Sequence, residues 1–153
     1  MTSAFNHIGH CVRDLDRSKR FYCELLGFVA EREIHPPDEP SARLLGLQPP
    51  LGMTASYLVR DGLVLELIHY GAPGRTEAAR SRAMNEPGLT HLSLSVDDPA
   101  AVCARVAEFG GEVVAGTDIG AAVFVRDPDG QLSELMPMSY RRHLDAKGML
   151  RQC

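Results

Sequence analysis

The chain says the same thing twice. Residues 6–27, "NHIGHCVRDLDRSKRFYCELLG", align without a gap on residues 90–111, "THLSLSVDDPAAVCARVAEFGG", so that His7 meets His91, Val12 meets Val96, Asp14 meets Asp98, Glu24 meets Glu108 and Gly27 meets Gly111. A repeat of this size limits the fold more than any local propensity, because each copy must be one supersecondary unit built in the same way. Both copies have the signature of a short apolar strand, an Asp that can cap a helix, about three helical turns and a terminating Gly. Pro99 directly after Asp98 suits the first helical position, where its missing N–H has no helical partner. Phe21, Tyr22, Leu25 and Leu26 give the first helix an apolar face, and Val102, Val106 and Phe109 do so for the second.

A second pair of blocks follows. "YLVRDGLVLELI" lines up with "VFVRDPDGQLSELM", with two extra residues in the second turn, matching Arg60 to Arg126, Asp61 to Asp127, Gly62 to Gly130 and Glu66 to Glu134. Each block is expected to be a β-hairpin turning on Asp and Gly. The offset between copies is 91 − 7 = 84 at the histidines and 134 − 66 = 68 at the glutamates, so the first copy carries 16 more residues between those points. The Pro-rich run "HPPDEPSARLLGLQPPLG" is their expected home, with a short helix at "SARLLGL". The expected fold is α+β: two βαβββ modules in tandem, residues 4–68 (with the insertion near 35–52) and 89–138. A connector at 69–88 and an unplaced tail at 139–153 complete the chain.

On a strand, residues three apart point to opposite faces, so His7 and His10 cannot serve one site. The repeat separates them: His7 recurs as His91, whereas His10 falls opposite Leu94, an apolar slot. Glu66 and Glu134 sit inside apolar strands, where a carboxylate is costly unless paired or bound to a cation. Near two-fold symmetry between the copies would bring His7, Glu66, His91 and Glu134 together as a mixed N/O site suited to Zn, Ni, Co, Mn or Fe.

Composition narrows the partners. Sixteen Lys and Arg against 20 Asp and Glu give a net charge of −4 without any basic cluster, which argues against nucleic acid. No apolar run is long enough to span a bilayer, and "MTSAFNHIGH" has neither the charged start nor the apolar stretch of a signal peptide. A cytoplasmic location and no membrane partner are the expectation. Cys11, Cys23, Cys103 and Cys153 form no CxxC pair and are expected to be free thiols.

The segments "HIGHCVRDLDRSKRFYCELLGF", "LVLELI", "THLSLSVDD" and "VRDPDGQLSELM" resemble the vicinal-oxygen-chelate superfamily of glyoxalase I, methylmalonyl-CoA epimerase, extradiol dioxygenases, fosfomycin-modifying enzymes and bleomycin-resistance proteins. The resemblance implies paired modules whose sheets curve around a divalent metal held by His7, Glu66, His91 and Glu134. The His–Glu–His–Glu order is most similar to bacterial-type glyoxalase I; the epimerase commonly has Gln at the position of Glu66. Segments resembling the longer glutathione-contacting motifs of glyoxalase I are absent.

A lyase or isomerase acting by proton transfer through a metal-chelated enediolate or enolate is the expected activity, on a small-molecule substrate and in a homodimer. The resemblance implies a base role for the glutamates, Glu134 first and Glu66 second, with the histidines as fixed ligands. Two alternatives remain. One is Fe(II) extradiol ring cleavage, for which His10 and Tyr140 are supporting candidates; the other is a resistance protein that sequesters a ligand without catalysis.

Other polar residues have plainer expected roles. His69 should face away from Glu66, Arg60 and Arg126 should form turn or surface pairs, and Asp127–Gly130 should be a turn rather than a calcium loop. Glu31, Glu33 and Glu39 have no assigned role. Leu44, Leu45, Leu47, Leu51 and Met53 in the insertion suit a lid or a dimer contact.

Overall fold

The computed structural model describes residues 3–71 and 83–149. The backbone divides into two compact units, Met1–Ser81 and Arg82–Cys153. In the first, β1 (Ile8–Cys11) leads through α1 (Leu15–Arg20) to β2 (Val29–Ile34), α2 (Asp38–Leu45), β3 (Met53–Arg60) and β4 (Leu63–Tyr70). The second runs β5 (His91–Val96), α3 (Pro99–Arg105), β6 (Glu112–Val113), β7 (Val123–Arg126), β8 (Leu132–Pro137) and α4 (Met138–Ala146). Each unit is a four-stranded mixed sheet, ordered β1-β4-β3-β2 and β5-β8-β7-β6. First and last strands are parallel neighbours in both, and the remaining pairs are antiparallel. The expected α+β class and the tandem modules are what the structure has.

The helix starts follow the capping chemistry. The Asp14 carboxylate accepts the backbone N–H of Arg17 at 3.0 Å, and Asp98 accepts that of Ala101 at 3.1 Å. The helix ends differ. α1 continues into a π-helical turn, Phe21–Leu25, and the chain turns at Gly27, φ 73°. α3 tightens into a 3-10 turn, Val106–Phe109, capped by Gly110 at φ 78°. A π turn uses more residues than a 3-10 turn, so Gly110 is the stop where the alignment suggests Gly111.

One face of each sheet packs on its helix. In the first unit Leu58, Leu65, Leu67, Phe21 and Tyr22 are fully buried; in the second Val106, Val125 and Leu135 are. Period-two alternation leaves the opposite face with the polar residues considered below.

The insertion does form a helix, but α2 begins at Asp38 rather than at Ser41. Acidic Asp38 and Glu39 occupy its first turn, favourable at a helix N-terminus, and Gly46 ends it at φ 67°. The tail forms α4 directly after Pro137 and packs on β5 and β8. Part of the expected connector, residues 72–82, and the last four residues lie outside the described residues.

Candidate functional site

In the first unit Gly9 is in register with Glu66, and Tyr57 pairs with Glu66 from the other side. Side chains in register share a face, so Glu66 projects between β1 and β3 on the side away from α1. His7, two residues before Gly9 and one before β1 starts, projects to that same side. Its Nε2 lies 3.0 Å from Glu66 Oε2, and its Nδ1 is 2.7 Å from Asn6 Oδ1. An amide oxygen and a carboxylate oxygen both only accept, so each nitrogen of the ring faces an acceptor. The ring also meets Tyr57 edge-on, with centroids 5.9 Å apart. The Tyr57 hydroxyl is hydrogen-bonded to Glu66. That bond, with partial burial and the Glu66 charge, raises the phenol above its ordinary 10.0.

The second unit repeats the plan with different parts. Ser93 is in register with Glu134, and Phe124 pairs with Glu134 from β7. His91 Nε2 lies 3.7 Å from Glu134 Oε2, and its Nδ1 is 2.9 Å from Thr90 Oγ1. Ser93 Oγ donates to Glu134 Oε2 at 2.6 Å. The His91 ring meets Phe124 edge-on at 5.2 Å. The two carboxylates differ in exposure: the Glu66 side chain is 9% accessible and the Glu134 side chain 22%.

Within each unit, therefore, one expected histidine meets one expected glutamate. Among the described residues no group of three or more His, Cys, Asp and Glu side chains converges; each unit contributes a pair. Nε2 lone pairs and carboxylate oxygens are suitable donors for a divalent ion, and an Nδ1 already engaged by a neighbouring oxygen is the usual way such an imidazole is oriented.

The remaining polar residues fall elsewhere. His10 lies on the helix side, edge-on to Tyr22 at 6.1 Å. His69 Nδ1 is 3.4 Å from the Val12 carbonyl, also on the helix side. Buried Asp127 accepts the backbone N–H groups of Asp129 and Gln131 at 2.9 and 2.8 Å, so the acidic loop is a turn. Tyr140 lies in α4 and is exposed. Cys11, Cys23 and Cys103 form no disulfide among the described residues, and Cys153 lies outside them.

The register corrects one match. Tyr57 and Phe124 are equivalent, each opposite its glutamate, which is an offset of 67 on that strand. Arg60 then corresponds to Asp127, not Arg126, and the second turn has one extra residue rather than two. Accordingly the arginines face opposite ways. Arg60 Nη1 reaches the Leu26 carbonyl beneath the helix, whereas Arg126 Nη1 donates to the Gly130 carbonyl at 3.0 Å and its Nε meets Glu112 at 3.3 Å. Sequence reading did not single out Tyr57, Ser93, Asn6 or Thr90. Asn6 and Thr90 stand immediately before the repeated histidines, a signal that was present in the aligned blocks.

The profile of the glyoxalase/bleomycin resistance protein/dioxygenase superfamily matches residues 4–135. Over 138 residues, 86% of this chain and 92% of the other, the sequence is 30% identical to a protein of Synechocystis sp. named probable lactoylglutathione lyase. A glyoxalase family protein from Bacillus cereus superposes with a TM-score of 0.75 at 21% identity, covering 90% of this chain and 95% of that one. The trypanothione-dependent glyoxalase I of Leishmania major does so with a TM-score of 0.68 at 23% identity, covering 99% and 98%. With its two repeated units matched along almost their whole length, the chain belongs to the glyoxalase/bleomycin resistance protein/dioxygenase superfamily.

Proposed function

We propose that this protein is a divalent-metal-dependent lyase or isomerase that moves a proton between neighbouring carbons of a small oxygen-bearing substrate. The observation that carries the reading is the repetition of one imidazole–carboxylate pair, His7 with Glu66 at 3.0 Å and His91 with Glu134 at 3.7 Å. The Synechocystis relative named probable lactoylglutathione lyase supports the same reaction class. His7, Glu66, His91 and Glu134 would hold one ion among Zn, Ni, Co, Mn and Fe. When bound, the ion supplies stabilisation of the negative charge that develops on a substrate oxygen.

The chain's own residues then have separate tasks. His7 and His91, oriented by Asn6 and Thr90, stay fixed. Glu134 removes a proton from carbon next to a carbonyl, and the C–H electron pair moves toward the carbonyl oxygen. Glu66 takes the proton of the hydroxyl on that first carbon and delivers it to the carbonyl carbon, while Glu134 passes its own to the carbonyl oxygen, so both carboxylates end as they began. The greater exposure of Glu134 is the reason for assigning it the first step. With a hemithioacetal as substrate, the product is a thioester. The reading includes a cytoplasmic homodimer. No helix of the described residues is long and apolar enough to cross a membrane.

Elemental mass spectrometry on protein purified without chelators tests this, comparing wild type with Glu66→Ala and Glu134→Ala. About one divalent ion per chain, lost in both variants, with turnover of hemithioacetals or acyl-CoA esters, is the expected result. Iron with oxygen uptake on catechols would replace proton transfer by ring cleavage. Absence of metal after reconstitution with each ion would overturn the catalytic reading in favour of ligand sequestration.

A further inference from the structure

We propose that Ser93 is a positioning residue that draws Glu134 off His91, leaving Glu134 rather than Glu66 as the carboxylate free to turn toward substrate. The inference rests on the reading of these four residues as the reactive set, and it starts from a difference between two equivalent positions. Gly9 and Ser93 are related by the same offset of 84 as the histidines, and each is in register with its unit's glutamate.

In the second unit His91 and Ser93 stand two residues apart on one strand and compete for one oxygen. Ser93 Oγ holds Glu134 Oε2 at 2.6 Å, a short charge-assisted bond. The same oxygen is 3.7 Å from His91 Nε2, beyond hydrogen-bond distance. In the first unit Gly9 has no side chain to compete, although a Cβ there would lie 3.9 Å from Glu66 Oε2. Glu66 Oε2 accordingly reaches His7 Nε2 at 3.0 Å. The hydroxyl that Glu66 does receive comes from Tyr57, on the opposite flanking strand, and so supports the carboxylate without drawing it off the imidazole. Phe124 occupies that place in the second unit and has no hydroxyl. Each carboxylate thus has one hydroxyl partner, delivered from opposite sides, and only Glu134 is drawn off its histidine.

The test uses the full chain. In metal-free protein, imidazole ¹⁵N NMR of His7 and His91 is compared among wild type, Ser93→Ala, Ser93→Thr and Gly9→Ser. Ser93→Ala should move the His91 nitrogen signals toward those of His7 and leave His7 unmoved; Ser93→Thr, which keeps the hydroxyl, should restore the wild-type pattern. Gly9→Ser should shift His7 in the opposite sense. A second measurement is Zn²⁺ affinity by competition with a chromogenic chelator. Ser93→Ala should bind about tenfold more tightly and Gly9→Ser about tenfold more weakly, the scale on which partners of metal ligands act. His91 signals that stay in place in Ser93→Ala, or weaker zinc binding by that variant, would overturn the proposal. Wild-type protein that binds no zinc or other divalent ion would sink the metal-dependent reading, while the imidazole signals would still decide the role of Ser93.

Discussion

Asn6 orients the ring of His7: its side-chain oxygen lies 2.7 Å from Nδ1, while Nε2 faces Glu66 at 3.0 Å. Thr90 holds His91 in the equivalent place at 2.9 Å. Asn6→Ala and Thr90→Ala are therefore expected to weaken divalent-metal binding by about tenfold or more. Asn6 is exposed and Thr90 half-buried, so thermal stability should stay within about 0.5 kcal/mol of wild type for Asn6→Ala and about 1 kcal/mol for Thr90→Ala. Chelator competition and a thermal melt on the same samples check both parts.

Leu65 and Glu66 are adjacent in β4 and face opposite ways, so neighbouring substitutions should separate fold from site. Leu65 is fully buried on the helix side. Leu65→Ala should cost about 2–5 kcal/mol in urea unfolding, the range for an emptied core site. Glu66→Gln keeps the shape and should leave the urea midpoint near wild type while abolishing tight metal binding. A comparable loss of stability in both variants would contradict the two-faced arrangement.

The two arginines of the hairpins offer a test of register. Arg60 ties the sheet to the carbonyl of Leu26 at the end of the helical segment, and its guanidinium packs 3.6 Å from where a Gly27 Cβ would be. Among the described residues Arg126 bonds within its hairpin and to exposed Glu112. Arg60→Ala should destabilise by about 1.5–3 kcal/mol, as for a lost charged hydrogen bond, and Arg126→Ala by about 0.5 kcal/mol or less. Equal losses on denaturant titration would restore the simple match of one arginine to the other.

Cys23 differs from Cys11 in exposure, and its chemistry should follow. Burial pushes the Cys23 thiol above its ordinary 9.0, opposed in part by the Lys19 charge. Folded protein then keeps this proton at pH values where unfolded chain has lost it, so stability contributed through Cys23 is intact below pH 9 and falls as pH rises above it. Cys11 is exposed. Timed alkylation at pH 8 with peptide mass mapping should label Cys11 well before Cys23, and faster labelling of Cys23 would refute this.

The four residues of the proposed site were legible because repetition and chemistry coincide: two histidines and two glutamates recur, and a carboxylate inside an apolar strand requires a reason. The parity of a strand turned His69 away from Glu66 and put His7 and His10 on opposite faces, and the repeat then chose His7. The shared letters "VRD" misled at the hairpins, since identical residues aligned while the backbone pairing had moved by one. Only sheet register reveals that Tyr57 and Ser93 approach their glutamates from opposite neighbours, because those contacts join strands far apart in sequence. The tail gave no comparable signal. It carries many charged residues, and its helix starts on Pro137 without a side-chain cap.

The parallel pairing of first and last strands has a kinetic consequence. His7 meets Glu66 across 66 − 7 = 59 residues, and His91 meets Glu134 across 134 − 91 = 43. These are among the longest loop closures within each unit, whereas the β3–β4 hairpin closes over two residues. Closure entropy grows with the length enclosed, so hairpins are cheap to close and the β1–β4 and β5–β8 seams are expensive. The imidazole–carboxylate pairs therefore belong to the latest contacts of the folding reaction. During synthesis, neither pair can exist until the final strand of its unit has left the ribosome.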